Sequence, residues 1–173
     1  MFRVTYSLLL FASFVVSVGG ALWAQDDPLA ATATCNFDDD KQLVVQYQRA
    51  PINPKKALAQ QVPFGKVWAP GGKAMTLFTN TAIQIGAVNL PIGAYTMFVI
   101  PKGGQWTLIV SKSTDTSGNY DDQQDLVRVP LESGELPSEE PAFMLSFAHI
   151  APQQCNIRID VAKTGHFTDF LKR

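Results

Sequence analysis

The sequence predicts an all-β protein, built as an antiparallel β-sandwich or a closed barrel of about eight or nine short strands with one short helix. Short runs of alternating apolar and polar residues, rich in β-branched and aromatic side chains, occur along most of the chain. Turn signals containing Gly or Pro separate these runs. Long amphipathic helices are absent, whereas a parallel α/β fold needs them as crossovers. The chain has 173 residues, 46% of them hydrophobic, which is enough for one domain with a substantial core.

The N-terminal segment has the composition of a signal peptide. Arg3 supplies a positive charge, residues 8–18 are apolar, and Ala24 is a small residue suited to a cleavage position. We therefore expect residues 1–24 to be removed and the protein to be exported, as a periplasmic or secreted protein without a stable membrane span. A leader that is kept as a membrane anchor is the alternative, although the apolar segment is shorter than a span of about 20 residues.

The two cysteines fit an exported protein. Cys35 lies near the start of the mature chain and Cys155 near its end. In an oxidising compartment the two residues are expected to form a disulfide, which would stabilise the fold by about 4–5 kcal/mol in the chain-entropy model. A pair of reduced, buried thiols is the alternative.

The remaining chain divides into a linker and one β domain. Residues 25–41 are polar and rich in small side chains, which predicts a flexible N-terminal linker. Residues 42–173 form the single domain, and the strong alternation at 42–48 predicts its first strand. After this strand, Asn53 followed by Pro54 is typical of a helix start, so a helix of two turns or fewer is expected at 55–61.

From residue 73 onward the pattern is almost wholly β. The predicted strands are 75–79, 82–85, 88–90, 94–100, 106–111, 126–131, 142–150 and 155–162. The strands at 94–100 and 106–111 are expected to form an antiparallel hairpin, because a Gly-rich turn joins them. Polar loops are expected at 113–124 and 132–141, and the tail at 163–173 is expected to be a short helix or an irregular cap.

Charge and motifs exclude several classes of function. The formal net charge is -1 and basic residues occur only in pairs, so no nucleic-acid partner is expected. Residues 115–121 carry oxygen ligands at the alternate spacing of a calcium loop, but Tyr120 stands where the sharp turn needs Gly and no Glu closes the loop. No histidine has the spacing of a zinc motif. We therefore predict no metal, no cofactor and no catalytic residues.

Two further elements resemble a known family. The sequence VPFGKVW at 62–68 and the sequence LPIGAY at 90–95 are together similar to the bacterial DUF2911 family, whose members are exported proteins of unknown function. The similarity covers about residues 42–162. It implies a mostly β, exported protein and no established reaction. After Trp68 members usually carry Arg-Thr-Gly-Ala-Asn-Glu, whereas this chain has APGGKA at 69–74, so no catalytic residue is carried across.

The leading functional hypothesis is a non-catalytic module that binds a small molecule, a glycan or an envelope protein. The candidate ligand-binding residues lie at or near turns and are Arg49, Lys66, Trp68, Lys73 and Tyr120. For the aromatic residues, a position in the β core is the alternative interpretation, because large side chains at turns often bury their area there.

Two other functions stay open. The first is a hydrolase whose site assembles in space around His149 or His166, with an Asp from the loop at 113–125. A separation of more than about 8 Å between each histidine and every Ser, Cys, Asp and Glu side chain would exclude it, because a base must reach its proton. The second is a structural envelope protein without a ligand.

Overall fold

The computed structural model describes residues 27–173, so the predicted signal peptide at 1–24 lies outside the described residues. These residues form ten strands: β1 Ala30–Asn36, β2 Gln42–Gln48, β3 Met75–Thr79, β4 Ile83–Ile85, β5 Val88–Leu90, β6 Gly93–Ile100, β7 Thr107–Ser111, β8 Asp125–Pro130, β9 Glu132–Ala151 and β10 Gln154–Lys172. Three 3-10 helices accompany them, at Leu58–Gln60, Pro70–Gly72 and Asp122–Gln124.

The strands form two antiparallel sheets. The larger sheet has the order β1-β2-β3-β6-β7-β8, and the smaller one has the order β5-β4-β10-β9. The structure therefore confirms the all-β sandwich, and the alternative of a closed barrel is wrong for the described residues. The predicted hairpin is confirmed as well: β6 pairs with β7, with Thr96 opposite Ser111.

The core fills the space between the sheets. On β2 the side chains of Leu43, Val45 and Tyr47 point inward, and on β10 those of Ile157 and Ile159 meet them from the other sheet. Each of these strands alternates between buried and more exposed positions, as the two-residue period of a strand requires. The inward residues hold the sheets together by removing apolar area from water, at about 25 cal/mol per Å².

A disulfide joins the two sheets. It connects Cys35 on β1 to Cys155 on β10, with the Cα atoms 6.3 Å apart and a sequence separation of 120. Both cysteines are buried. The predicted pairing is thus present.

Strand β10 folds back on itself. A straight strand of its 19 residues would be about 60 Å long. Instead, the backbone N–H of Lys172 donates to the carbonyl oxygen of Gln153 at 2.8 Å, so the two ends of β10 are neighbours. The reversal lies near Ala162, whose φ of 52° is in the left-handed region. It brings together side chains that lie far apart in sequence.

Two segments that were expected to be irregular are strands. Residues 30–36 of the predicted flexible linker form β1, because Ala31, Ala33 and Cys35 alternate with outward-facing Thr residues. The alternation is real, but the side chains are small and give little hydrophobic signal. The predicted polar loop at 132–141 is the first part of β9, which pairs with β10 and turns most of its side chains to solvent.

The C-terminal tail and the predicted helix also differ. Residues 163–172 are strand, since they form the second part of β10 and pair with β9 and β4. The helix expected at 55–61 is a single 3-10 turn at Leu58–Gln60, with the side chain of Gln61 bonding back to the carbonyl oxygen of Asn53. Within residues 27–173, no helix is both long and apolar enough to cross a membrane.

Candidate ligand-binding cleft

A cleft of about 470 Å³ lies on the outer face of the larger sheet, over β1, β2 and β3. The outward side chains of these strands form its floor, because they alternate with the inward residues of the core. Its polar lining consists of Thr32, Gln46, Gln48, Lys73, Thr76 and Thr116. Its polar side chains are therefore mostly amides and hydroxyls, beside apolar alanines, and among the described residues Lys73 is the one charged residue that lines it.

Two loops form the wall of the cleft. The backbone N–H of Ala74 donates to the carbonyl oxygen of Thr116 at 3.3 Å, which ties the loop after β7 to the start of β3. Gly118 in that loop lies so close to Gly72 that an added Cβ would be 2.4 Å from the Gly72 oxygen. Beneath the loops, Phe98 on β6 packs against Tyr120 with ring centroids 5.2 Å apart. The loops thus cover β6 and β7 and leave the face of β1–β3 open.

Two residues that line this cleft hold a carboxylate. Oδ2 of Asp27 accepts hydrogen bonds from Lys73 Nζ and from Gln48 Nε2, each at 3.0 Å, and Oδ1 accepts from the N–H of Leu29 at 3.1 Å. The hydrogen bond from Lys73 is the main reason that the pKa of Asp27 is lowered. The side chain of Lys73 is still 57% exposed, so its ammonium group is accessible from solvent.

The five predicted ligand-binding residues do not form one site. Of these residues, Lys73 alone lines the cleft. Arg49 is exposed just after β2. Lys66 is exposed in a turn, where its backbone N–H donates to the carbonyl oxygen of Pro63. Neither of these two residues lines the cleft.

Trp68 belongs to the core. Its indole makes edge-on contacts with Trp106 at 6.1 Å and with Phe143 at 5.5 Å between ring centroids. Its backbone exchanges hydrogen bonds with Val99 on β6. Of the two interpretations of Trp68, the structure supports the core position.

Tyr120 belongs to a polar cluster beside the covering loop. Its hydroxyl donates to Asp125 Oδ2 at 2.7 Å and accepts from Arg128 Nη2 at 2.5 Å, and Arg128 Nε also donates to Asp125 Oδ2 at 2.7 Å. Burial, followed by the hydrogen bond to Asp125, raises the pKa of Tyr120 to about 12. Tyr120 is therefore a neutral hydrogen-bond donor that fastens the loop to β8, and it does not line the cleft.

The residues that sequence reasoning missed are the amide and hydroxyl groups of the cleft. Gln46 and Gln48 alternate with the inward residues of β2, and a strand that is exposed on one face normally carries polar residues there. Thr76 and Thr116 are equally common types for a strand and a loop. Of the cleft residues, Lys73 was identified from its place near a turn, whereas only the folded sheet brings its neighbours together.

Each histidine has a polar partner. Nδ1 of His166 is 2.9 Å from Ser133 Oγ, across the β9–β10 pair. Nε2 of His149 is 3.5 Å from Asp38 Oδ1 at the surface. The distance criterion therefore does not exclude a hydrolase. The partners are nevertheless not the carboxylates of the 113–125 loop that the hypothesis named.

The surroundings of His166 are those of a core residue. It is 4% exposed, and burial lowers its pKa to about 4. Within the described residues, no carboxylate lies within ion-pair distance of its ring.

The described part of the chain shows no group of three His, Cys, Asp or Glu residues placed to hold a metal ion. In the loop that has calcium-like spacing, Asp115 accepts from the N–H of Ser117 at 2.8 Å and Asp121 accepts from the N–H of Gln123 at 3.0 Å. These carboxylates cap local turns, which is the ordinary role of Asp in loops.

Comparison with known proteins identifies a family. A family model described as "Protein of unknown function (DUF2911)" matches residues 29–166. The match includes β1, which the sequence-based resemblance had left out, and it ends inside β10. No curated protein and no solved structure matches the chain.

Proposed function

The chain belongs to the DUF2911 family, whose function is unknown, and from this premise we propose that it is an exported, non-catalytic module that binds a small polar molecule in the cleft beside Lys73. The observation that carries the proposal is the convergence of Lys73 Nζ and Gln48 Nε2, two lining groups of the cleft, on one carboxylate oxygen of Asp27. A ligand oxygen in the place of this oxygen would meet the same two donors.

The lining favours a ligand with several oxygen atoms. The side chains of Gln46, Thr32, Thr76 and Thr116 add amide and hydroxyl groups that both donate and accept hydrogen bonds. Ligand sites commonly combine a concave surface with a few convergent polar groups of this kind. Most of these groups stand on strands, which hold them in place better than loops do.

Export rests on two supports. The first is the signal-peptide pattern of residues 1–24. The second is the disulfide between Cys35 and Cys155, since disulfides persist mainly in oxidising compartments.

The experiment is an NMR titration of the exported, ¹⁵N-labelled protein with four probes: succinate, citrate, glucuronate and glucose. We expect one of them to shift the amide signals of Thr32, Gln48 and Thr76. Lys73→Ala should weaken its binding about tenfold, which corresponds to one hydrogen bond from a charged group. Lys66→Ala is the matched control, because it removes an exposed lysine that does not line the cleft. Probes that leave these signals unmoved, or equal losses in both variants, would contradict the proposal.

The contact between Ser133 and His166 favours a second candidate, a serine hydrolase. In such a site His166 would accept the proton of the Ser133 hydroxyl as the oxygen attacks a carbonyl carbon. Ser133 is exposed, so a substrate can reach it. The low pKa of His166 makes its ring a weak base, and this places the hydrolase second.

A fluorophosphonate probe tests this second candidate. A hydrolase would be labelled covalently at Ser133, and the variants Ser133→Ala and His166→Gln would both lose the label. Ser146→Ala is the matched control, because Ser146 is also exposed on β9 but faces Arg158 across the strand pair. An unlabelled wild-type protein that is correctly folded would exclude the hydrolase.

A further inference from the structure

We infer that the outer face of the smaller sheet is a second binding site, which takes a neutral carbohydrate chain and is centred on Asp169. This site lies on the opposite sheet from the cleft beside Lys73 and shares no lining residue with it. The inference therefore does not depend on the proposed function.

The surface is a shallow cleft of about 510 Å³. The two arms of the folded-back strand β10 supply most of its lining, and Gln84 on β4 and Glu132 on β9 complete its edge. Outward side chains of β10 meet here because the reversal near Ala162 places Asn156 next to Asp169, 13 residues away in sequence.

A fixed array of polar groups stands in this cleft. Asp169 Oδ1 accepts from Asn156 Nδ2, and Oδ2 accepts from Gln154 Nε2, both at 2.7 Å. These two bonds fix the orientation of both amides. Each amide still has one N–H donor and its carbonyl acceptor for another partner. Neighbouring hydroxyl groups of a sugar need such donor–acceptor pairs.

Apolar side chains lie beside the array. Phe167 is partly exposed two residues before Asp169, Leu171 lies two residues after it, and Ile150 at the opposite edge is 53% exposed. One face of a pyranose ring carries mainly C–H groups, which pack favourably on the electron-rich face of an aromatic ring. A polar array next to an apolar platform therefore fits the two kinds of surface that one sugar ring presents.

The charge of the cleft argues for a neutral ligand. Among residues 27–173, its charged lining residues are Asp169 and Glu132, and no Lys or Arg of this part of the chain lines it. A phosphate or carboxylate ligand would meet two negative charges and no positive partner. The site is also the face of a sheet and not an edge strand. A peptide therefore could not add to it as a further strand through backbone hydrogen bonds.

The test is an NMR titration of the exported protein with maltohexaose, cellohexaose and chitohexaose, each up to about 10 mM, a range that detects weak binding. We expect one of the three to shift the side-chain amide signals of Gln154 and Asn156. Phe167→Ala and Asn156→Ala should each weaken that binding about tenfold, as removal of a central contact does. Asn36→Ala is the matched control, because it removes an exposed amide that lines neither cleft, and it should leave the affinity unchanged.

Folding is checked separately by the thermal midpoint of each variant. If Phe167→Ala does not fold, Asn156→Ala and Gln154→Ala carry the test, because both remove outward amides. The inference is overturned if all three oligosaccharides leave the Gln154 and Asn156 signals unmoved. It is also overturned if a folded Asn156→Ala variant binds as the wild type does.

Discussion

The imidazole of His166 lies almost parallel to the indole of Trp106, with 4.2 Å between the ring centroids and 16° between the ring planes. Trp106 in turn contacts Trp68, which contacts Phe143. An aromatic chain thus leads from the histidine into the centre of the sandwich. The face of the His166 ring packs on Trp106, and its Nδ1 atom contacts Ser133 Oγ.

The stability of the fold should therefore depend on pH through His166. Its pKa in the folded state is about 4, below the ordinary value of 6.5, so the unfolded chain takes up the proton first as the pH falls. Above about pH 6.5 the neutral ring makes its full contribution to the free energy of unfolding. Up to about 3 kcal/mol of this free energy is lost as the pH falls towards 4. Urea unfolding at several pH values measures this loss.

Two variants distinguish the effect of His166 on stability from that of carboxylates, which titrate in a similar pH range. His166→Phe keeps an aromatic ring against Trp106 and removes the titrating group, so its stability should change less between pH 6.5 and 4 than that of the wild type. His149→Gln is the control, because the side chain of His149 is 39% exposed, and it should keep the wild-type dependence. Identical pH dependences for all three proteins would show that His166 contributes nothing.

The disulfide should contribute strongly to stability. Replacing both Cys35 and Cys155 by Ala opens a loop of about 120 residues. In the chain-entropy model this lowers the free energy of unfolding by about 4–5 kcal/mol. Guanidinium unfolding of the double variant and of the wild type, with and without a reductant, measures the difference. A reductant that changes the variant as much as the wild type would mean that the loss has another cause.

Trp68 should matter for folding and leave ligand binding unaffected. Trp68→Ala removes the edge contacts to Trp106 and Phe143 and should cost about 3–5 kcal/mol of unfolding free energy. Phe64→Ala is the control: Phe64 is 38% exposed, so its loss should be below about 0.5 kcal/mol. Calorimetry checks both values. A well-folded Trp68→Ala protein with reduced ligand affinity would show that Trp68 contributes to ligand binding.

The ionisation of Tyr120 should report on its neighbours. The pKa of Tyr120 is about 12 because of burial and the hydrogen bond to Asp125. Asp125→Asn removes the negative charge and should move this pKa down towards 10, whereas Arg128→Gln removes a charge that lowers the pKa and should not move it down. NMR of ¹³C-labelled tyrosine follows the titration. A downward shift in the Arg128 variant would show that the assignment of the charges is wrong.

The contact between the two covering loops can be tested with glycines. Gly118 and Gly65 both have positive φ, of 87° and 74°, so alanine introduces backbone strain of about 1 kcal/mol at either position. Gly118→Ala would in addition push against the Gly72 oxygen, whereas Gly65 has open space around it. Gly118→Ala should therefore destabilise by about 1 kcal/mol or more beyond Gly65→Ala. Denaturant unfolding gives both values, and equal losses would argue against a close loop contact.

Much of the fold follows from alternation in the sequence. Strands with large inward residues, such as β2 with Leu43 and Val45, were predicted, because the two-residue period then coincides with a strong hydrophobic signal. Strand β1 was missed because its inward residues are mostly Ala. The first part of β9 was missed because its partners lie on β10 and its own side chains mostly face water.

The candidate sites were less predictable than the strands. Lys73 was identified from its place near a turn, but Gln48, which bonds to the same carboxylate, lies 25 residues earlier on β2. Ser133 and His166 are 33 residues apart, and only the register of β9 against β10 places them opposite each other. Such pairs depend on strand register and on the reversal of β10, which single-residue patterns do not reveal.

The link between the first and last strands constrains the order in which the molecule is completed. Residues up to the end of β8 can build the larger sheet as they emerge, but its inner face stays open until β9 and β10 arrive. Cys35 can form its disulfide only after Cys155 is present, and Asp39 can form its ion pair only after Lys172, near the end of the chain, is present. Because the residues in these contacts are so distant in sequence, the domain can complete its folding only when the whole chain is available. A chain that lacks its last two strands thus leaves the apolar inner face of the larger sheet exposed to solvent.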